Sequence, residues 1–287
     1  MIVHLIDGTY ELFRHFYGLR RFHKDGDPPF GAAVGVLNTV LQMLETGATH
    51  IGVATDHVIE SFRNDLWPGY KTGAGIERAL RAQFQPLEDG LTAMGVALWA
   101  MVELEADDAL ASAAHLAAAD DRVEKVCIWT PDKDLAQCVV GDRVVQVDRR
   151  GNAIRDAAAV RKKFGVEPAQ IPDYLALVGD SADGYPGIAG IGAVTAARLV
   201  TQYGAIEDFP PNVLGAHRTE ALLFKKLATL RNDAPLFRDV EQLKWQGPTA
   251  AFAEWTAKIG DDRLSDRATK AAPAAARKRT PRGNPSR

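Results

Sequence analysis

Short runs rich in β-branched and aromatic residues recur along the first half of the chain: IVHLI (2–6), HIGVAT (50–55), VALWAM (96–101), VCIWT (126–130) and VVQV (144–147). Runs of this length, rich in these residues, read as strands rather than buried helices. Between the early runs lie AAVGVLNTVLQMLE (32–45) and IERALRAQFQPLEDGLTAM (76–94). There apolar residues return every three or four positions, the period of a helix with one buried face. Strand and helix in alternation predict an α/β fold with a mostly parallel sheet flanked by helices. Beyond about residue 156 the strand signals stop, so a C-terminal α-helical lobe is expected to complete the molecule.

This scaffold gives meaning to the acidic residues. Asp7 and Asp56 directly follow the first and second strands, and ELEADDAL (103–110) follows the third with Glu103, Glu105, Asp107 and Asp108. TPDKD then brings Asp132 and Asp134 just past the fourth. One strand-end Asp is weak evidence, because Asp is a common helix cap and turn residue. In an open parallel sheet, however, the carboxyl ends of the strands share one edge where ligand sites form, so acids at four strand ends are expected to converge. Converging carboxylates repel and raise one another's pKa unless a cation joins them. With oxygen ligands alone, and no His or Cys at these spacings, hard ions such as Mg²⁺ or Mn²⁺ match the donors. Two such ions about 3.5–4 Å apart activate a water and stabilise the leaving oxygen of a phosphodiester, which makes phosphate cleavage the working hypothesis.

The helical half adds GDSADGYPGIAGIGAVTAARLV (179–200). Asp180 and Asp183 are three positions apart, so on a helical turn they face the same way and are expected to join the cluster. The GIAGIG that follows reads either as a turn presenting backbone N–H groups to a phosphate or as a tight helix–helix turn using Gly for packing. A dinucleotide fingerprint is disfavoured, because the third Gly and a preceding strand are both missing.

Composition narrows the class. A chain of 287 residues, 46% hydrophobic, has enough apolar mass for one large domain and a smaller lobe, and most of it is not disordered. Cys127 and Cys138 form no CxxC pair and have no clustered histidine, which argues against a disulfide framework or a zinc site and suits a reducing cytoplasm. No run approaches the roughly 18 apolar residues of a membrane span, and MIVHLIDG lacks the features of a signal peptide. A cytoplasmic protein with no membrane partner is expected. Residues 263–287 carry eight Lys or Arg against Asp266 alone, leaving −10 on residues 1–262 within a net charge of −3. This end reads as a basic disordered tail, either attracted to phosphate or merely solubilising. The seven histidines, His4, His15, His23, His50, His57, His115 and His217, are scattered and receive no role.

Five motifs in order, LIDGTYELFR (5–14), SFRNDLWPGYK (61–71), ELEADD (103–108), TPDKDL (130–135) and GDSADGYPGIAGIG (179–192), resemble the bacterial 5′ nuclease family. That family includes the 5′ to 3′ exonuclease domain of DNA polymerase I and phage and stand-alone bacterial flap endonucleases. The resemblance covers about residues 1–235, and with no polymerase domain following, the chain resembles the stand-alone branch. It implies a PIN-like catalytic domain over 1–156 with a helical arch at about 60–95, and a helix-three-turn-helix lobe over 157–262. It also implies a first metal group of Asp7, Asp56, Glu105, Asp107 and Asp108, and a second of Asp132, Asp134, Asp180 and Asp183. All nine acids are present, while Glu103 falls outside the pattern. Metal bound to these acids would offset most of the negative charge on residues 1–262, so net acidity does not exclude nucleic acid.

The same resemblance implies that Lys71 contacts the scissile phosphate and acts with Asp107 and Asp108 in catalysis, where a cation stabilises developing charge. Tyr70 would stack on an unpaired base, with core packing as its alternative. Arg14 would reach phosphate from the first helix, and so would Arg63 unless it forms a surface salt bridge. Backbone carbonyls of Leu177, Val178, Pro186, Ile188 and Ile191 would hold a K⁺ ion. Gly190, Ile191, Gly192, Ala193, Val194 and Thr195 would lie against the DNA backbone and recognise structure rather than sequence. The implied activity is two-metal hydrolysis of DNA near a 5′ flap or free 5′ end by a monomer, leaving a 5′-phosphate and a 3′-hydroxyl. A catalytically silent DNA-structure binder and a PIN-type ribonuclease are the rivals. One departure stands out: the family's usual arginine three residues after the lysine is Ala74 here, with Arg78 one turn further on.

Overall fold

The computed structural model describes residues 1–19, 30–149, 151 and 153–273. Six strands form one sheet: β1 (Ile2–Asp7), β2 (His50–Asp56), β3 (Ala97–Met101), β4 (Lys125–Trp129), β5 (Val144–Asp148) and β6 (Ala153–Arg155). The order is β3-β2-β1-β4-β5-β6. The pairs among β1 to β5 are parallel, and β6 alone runs antiparallel, against β5. β6 carries no apolar alternation, which is why the sequence pattern missed it.

Thirteen α-helices accompany the sheet among the described residues, some packed on it and others in a separate lobe. In the first half they are α1 (Gly8–Leu19), α2 (Gly31–Glu45), α3 (Phe62–Leu66), α4 (Arg78–Arg81), α5 (Phe84–Met94) and α6 (Ala106–Ala118). In the second half they are α7 (Ala157–Phe164), α8 (Ile171–Val178), α9 (Ala193–Tyr203), α10 (Pro211–Leu214), α11 (Arg218–Ala228), α12 (Ala251–Ile259) and α13 (Asp262–Ala271). None is long and apolar enough to cross a membrane.

The alternation of β1 explains the two layers. Ile6 joins a core with α1, α2 and α5 on one face, while Val3 and Leu5 join another with α6 on the opposite face. A glycine at position 8 lets α1 start hard against β2, because a Cβ there would lie 2.8 Å from side-chain carbons of Val53 and Thr55. The sheet order reverses at β1, so the next strand in sequence after β3 returns to β1's other edge. That is the switch point where ligands gather in such sheets.

Three boundaries differ from the sequence reading. The expected helix over 76–94 is broken near Ala82, because the Gln83 side chain accepts the N–H groups of Ala32 and Ala33 at 2.9 and 3.1 Å and so caps α2. An arch spanning 60–95 is also too long, since Leu87, Leu91 and Met94 line the inner face of α5 and are buried in the core with α2. Finally, the chain after the helical lobe returns to the first domain. Trp245, Phe252, Leu264, Ala268 and Ala272 are buried in the same core as α2 and α5, and the Trp245 indole donates to the Met94 carbonyl at 2.8 Å. The basic tail therefore does not begin at Arg263. α13 is ordered by its apolar positions and by Arg267, which pairs with Glu45 at 2.8 Å. Residues 274–287 lie outside the described residues.

The helical lobe has its own core, including Val160, Ile171, Leu175, Val200 and Phe224, onto which Tyr70, Ala136 and Tyr185 also pack. This shared packing seats the lobe beside the carboxyl edge of the sheet.

Candidate metal centre

Asp7 and Asp56 end their strands side by side at the sheet edge, and each is held by a neighbouring turn. Asp7 accepts the Tyr10 N–H at 2.8 Å and the Thr130 hydroxyl at 3.0 Å. Asp56 accepts the Ala106 N–H at 2.8 Å, at the first residue of α6. That contact ties the second strand end to the N-terminus of α6, where the positive end of the helix dipole favours acids. Asp107 follows in the first turn, half-buried. Asp132 accepts the Asp134 N–H at 2.9 Å, which shapes the loop after β4.

The remaining acids come from the loop after β4 and from the helical half. Asp134, Asp180 and Asp183 are buried, and each offers a carboxylate oxygen within 4.8 Å of the others. Asp180 and Asp183 do not lie on a helix as the spacing suggested. Asp180 opens a tight turn that holds Asp183 within it, and the Gly184 and Tyr185 N–H groups both donate to the Asp180 carbonyl, at 2.9 and 3.0 Å. The turn brings the carboxylates together as a helix would.

The electrostatics are those of an acid cluster short of cations. Burial pushes Asp7 up to about 7, helped by the charges of Asp56 and Asp132. Burial raises Asp107 well above the usual carboxylate range, and Asp132 and Asp7 add to it. Asp134 is raised likewise by burial and then by Asp132, Asp183 and Asp180. Burial also raises Asp56 and Asp183. Glu105 is the exception. Burial alone would raise it, but the Lys71 and Arg63 charges outweigh that and hold it below the usual value.

A divalent ion fits this arrangement on direct grounds. Asp134 Oδ1 is buried with no hydrogen-bond partner, a costly condition for a carboxylate that a bound cation removes. An all-oxygen donor set suits a hard ion.

Three residues assigned to catalysis or DNA take different places. Asp108 points away from the other acids; both its oxygens bind the Arg63 guanidinium, at 2.7 and 2.8 Å, and it also accepts the N–H groups of Glu105 and Arg231. It is fully buried and is not a metal ligand in this arrangement. Arg63, in turn, is 1% exposed and cannot meet a phosphate. Its reach is consumed by Asp108, by Glu105 at 3.2 Å and by the Leu227 and Thr229 carbonyls. Tyr70 packs in the lobe core at 4% exposure, so it is not available to stack on a base. Arg14 is half-buried and pairs with buried Glu11.

Lys71 stays at the site. Its ammonium lies 2.8 Å from Glu105 and 3.0 Å from Asp183, joining an acid from each group. Residues 190 and 192–194 are exposed at the start of α9, with Val194 at 86%. The carbonyl segments around Leu177–Val178 and Pro186–Ile188 lie against each other. Ile188 N–H donates to the Leu177 carbonyl at 2.8 Å, and Ile191 N–H to that of Ile188 at 3.0 Å. Glycine is needed at both 179 and 187, where φ is 85° and 70° and a Cβ would lie 2.4 Å from the facing backbone.

Sequence reasoning missed several neighbours of the acids. Ser61 donates to Glu105 at 2.6 Å, and Lys133 lies 2.8 Å from Asp180. Buried Glu88 accepts from Thr55 and pairs with His57, the residues on either side of Asp56, both at 2.8 Å. The position of Lys133 between two motif acids was the available signal for it. Glu88, on a helix remote in sequence, offered none.

Residues 2–165 match the family described as 5′-3′ exonuclease, N-terminal resolvase-like domain, and residues 166–251 match 5′-3′ exonuclease, C-terminal SAM fold. DNA polymerase I of Pseudomonas aeruginosa is 33% identical over 259 residues, a match covering 83% of this chain and 28% of the polymerase. The chain thus spans less than a third of such polymerases. A 5′-3′ exonuclease from Buchnera aphidicola subsp. Baizongia pistaciae is 30% identical over 267 residues, covering 85% of this chain and 86% of the relative. Among solved structures, a bacteriophage T5 flap endonuclease in a pseudo-enzyme-product complex with DNA and metal ions superposes with a TM-score of 0.63. Its identity is 20%, and the match covers 94% of this chain and 98% of that one, a likeness of fold.

Proposed function

The chain belongs to the 5′-3′ exonuclease family, and from that premise we propose that it hydrolyses DNA phosphodiester bonds at 5′ flaps and free 5′ ends. The observation that carries this reading is the convergence of acids from four strand ends with Asp134, Asp180 and Asp183, where a buried oxygen of Asp134 has no partner. Asp132, which the resemblance put in the second group, bears on Asp7 and Asp107 and stands with the first, so Asp7, Asp56, Glu105, Asp107 and Asp132 would hold one divalent ion, and Asp134, Asp180 and Asp183 another, with Mg²⁺ or Mn²⁺ the ions of choice. When bound, such ions supply Lewis acidity for phosphodiester hydrolysis.

The chain's own residues do the rest. Lys71 sits between the two acid groups, 31% exposed, and its ammonium is placed to meet a phosphate drawn to the cluster. Ser61 and Arg63 fix Glu105, so that its carboxylate does not have to be ordered when the ions arrive. The N-terminus of α9 presents residues 190–195 to the duplex backbone, as the free N–H groups of a helix start suit a phosphate. The carbonyls of Leu177, Val178, Pro186, Ile188 and Ile191 form the proposed K⁺ site beside it. Cys127 and Cys138 are unpaired, which supports action in a reducing cytoplasm.

The test is cleavage of labelled 5′-flap, nicked, blunt and single-stranded DNA, with an RNA duplex alongside, in Mg²⁺. Flap or nicked DNA cut near the junction to give 5′-phosphate ends is the expected result. Preference for RNA, or binding of flap DNA with no metal-dependent cutting, would replace this reading with a ribonuclease or a silent binder.

A further inference from the structure

The two acid groups are not neutralised alike. Among the described residues, no lysine or arginine forms an ion pair with Asp7, Asp56, Asp107 or Asp132; in the first group only Glu105 is paired, with Lys71 at 2.8 Å and Arg63 at 3.2 Å. In the second group, by contrast, Lys133 holds Asp180 at 2.8 Å and Lys71 holds Asp183 at 3.0 Å, leaving only Asp134 unpaired. Lys71 has the proposed task of meeting the substrate. Lys133 has none in the function described above.

We propose that Lys133 is a tethered counter-cation for Asp180 that competes with the second divalent ion, so that the two metal positions fill in sequence rather than together. This rests on the two-metal reading above. The Asp180 carboxylate is 4% exposed, so its charge must be balanced locally whether or not an ion is present. The Lys133 ammonium does this from the loop after β4, on the side chain of a residue directly between Asp132 and Asp134. It borders a cavity of about 450 Å³ lined also by Val178, Ser181 and Pro186. With its side chain 36% exposed, the ammonium has room to swing away when a divalent ion takes Asp180. An ion entering beside Asp7, Asp56 and Asp107 meets only Lys71 and Arg63, both held on Glu105, and Lys71 is shared with the second group through Asp183. The first ion therefore has no ion pair to break at Asp7, Asp56 or Asp107, whereas the second must expel Lys133 from Asp180.

The experiment is calorimetric titration of the DNA-free protein with Mn²⁺, with bound ions counted by electron paramagnetic resonance. Wild type is compared with Lys133→Met, Lys133→Gln, Lys133→Arg and a control, Lys258→Met, on exposed α12. Two well-separated affinities are expected for wild type. Lys133→Met and Lys133→Gln are expected to tighten the weaker site about three- to tenfold and narrow the gap, the effect of removing one nearby positive charge under solvent screening. Lys133→Arg and Lys258→Met are expected to leave both affinities near wild type. A merely structural role for Lys133 predicts the opposite sign, because losing a support for Asp180 would weaken the site. Unchanged or weaker second-site binding in both neutral variants overturns the inference alone. Failure of wild type to bind Mn²⁺ at all overturns the two-metal reading and this inference with it.

Discussion

Arg63 closes its two terminal nitrogens on the two oxygens of Asp108, and the same guanidinium donates to the carbonyls of Leu227 and Thr229 at the end of the helical lobe. The pair is buried, with side-chain exposures of 1% and 0%. Removing one member strands the other charge. Arg63→Met or Asp108→Asn is expected to lower the unfolding free energy by about 3–5 kcal/mol in urea titrations. The double variant Arg63→Met/Asp108→Leu is expected to lose clearly less than the sum of the single changes.

Asp107 lies next to Asp108 in sequence but among the acids of the site. Asp107→Ala is expected to reduce flap cleavage at least about a hundredfold, in line with loss of a group that acts on developing charge. Flap binding in Ca²⁺ should stay within about threefold of wild type, since duplex contacts lie elsewhere. Excess EDTA is expected to stop the wild-type enzyme and added Mg²⁺ to restore it, measured in one gel assay.

Tyr70 separates a packing role from a stacking one. Its hydroxyl is 3.4 Å from Glu105, a weak contact, and its ring is buried. Tyr70→Phe keeps the packing and should change DNA affinity less than about twofold. Tyr70→Ala is expected to cost about 3–5 kcal/mol of stability through the cavity it opens. A substantial loss of affinity in a stably folded Tyr70→Ala protein would instead indicate stacking on a base.

Ala74 and Arg78 are both exposed after Lys71. Adding a cation at Ala74 supplies another phosphate contact on this segment. Ala74→Arg is expected to tighten 5′-flap binding about two- to tenfold at low salt, with the gain fading as salt rises. Equal binding at every salt concentration would show that position 74 does not face the strand.

His15 gives a pH signature separate from that of the metal-site acids. Its Nε2 lies 2.9 Å from the Arg14 guanidinium and 3.0 Å from the Thr39 hydroxyl. Burial, then the Arg14 and Arg149 charges, hold the imidazole down to about 4. An unfolded histidine titrates near 6.5, so the folded chain keeps His15 neutral where the unfolded chain takes up a proton. The contribution is complete above pH of about 6.5 and is lost as pH falls from there through 4. Between pH 7 and 4.5 wild type should lose about 1–2 kcal/mol more stability than His15→Gln, measured by denaturant unfolding at each pH.

Much of the centre is legible in the sequence itself. An apolar strand ending in Asp7, Asp56 or the acids near Asp132 is a local pattern, and parallel strands put those ends on one edge whatever the rest of the chain does. Lys71 is implied by the resemblance of its motif, and the switch from strands to helices near residue 156 is again a local pattern. Local signals of this kind survive folding because they depend on neighbours a few positions away.

Tertiary structure decided which of these residues face the metal site. Asp107 and Asp108 are identical in type and adjacent, yet successive residues on a helix point about 100° apart, so one meets the acids and the other meets Arg63. Arg63 reads as a surface cation until carbonyls some 160 residues later, at Leu227 and Thr229, enclose it. The return of Trp245 and Leu264 to the first core, and the cap that Gln83 places on α2, depend likewise on distant partners. The sequence alone could place the charges along the sheet edge. Whether each was to be met by water, by metal or by another side chain was settled by which remote segment packed over it, because a buried charge takes the partner that packing brings within reach.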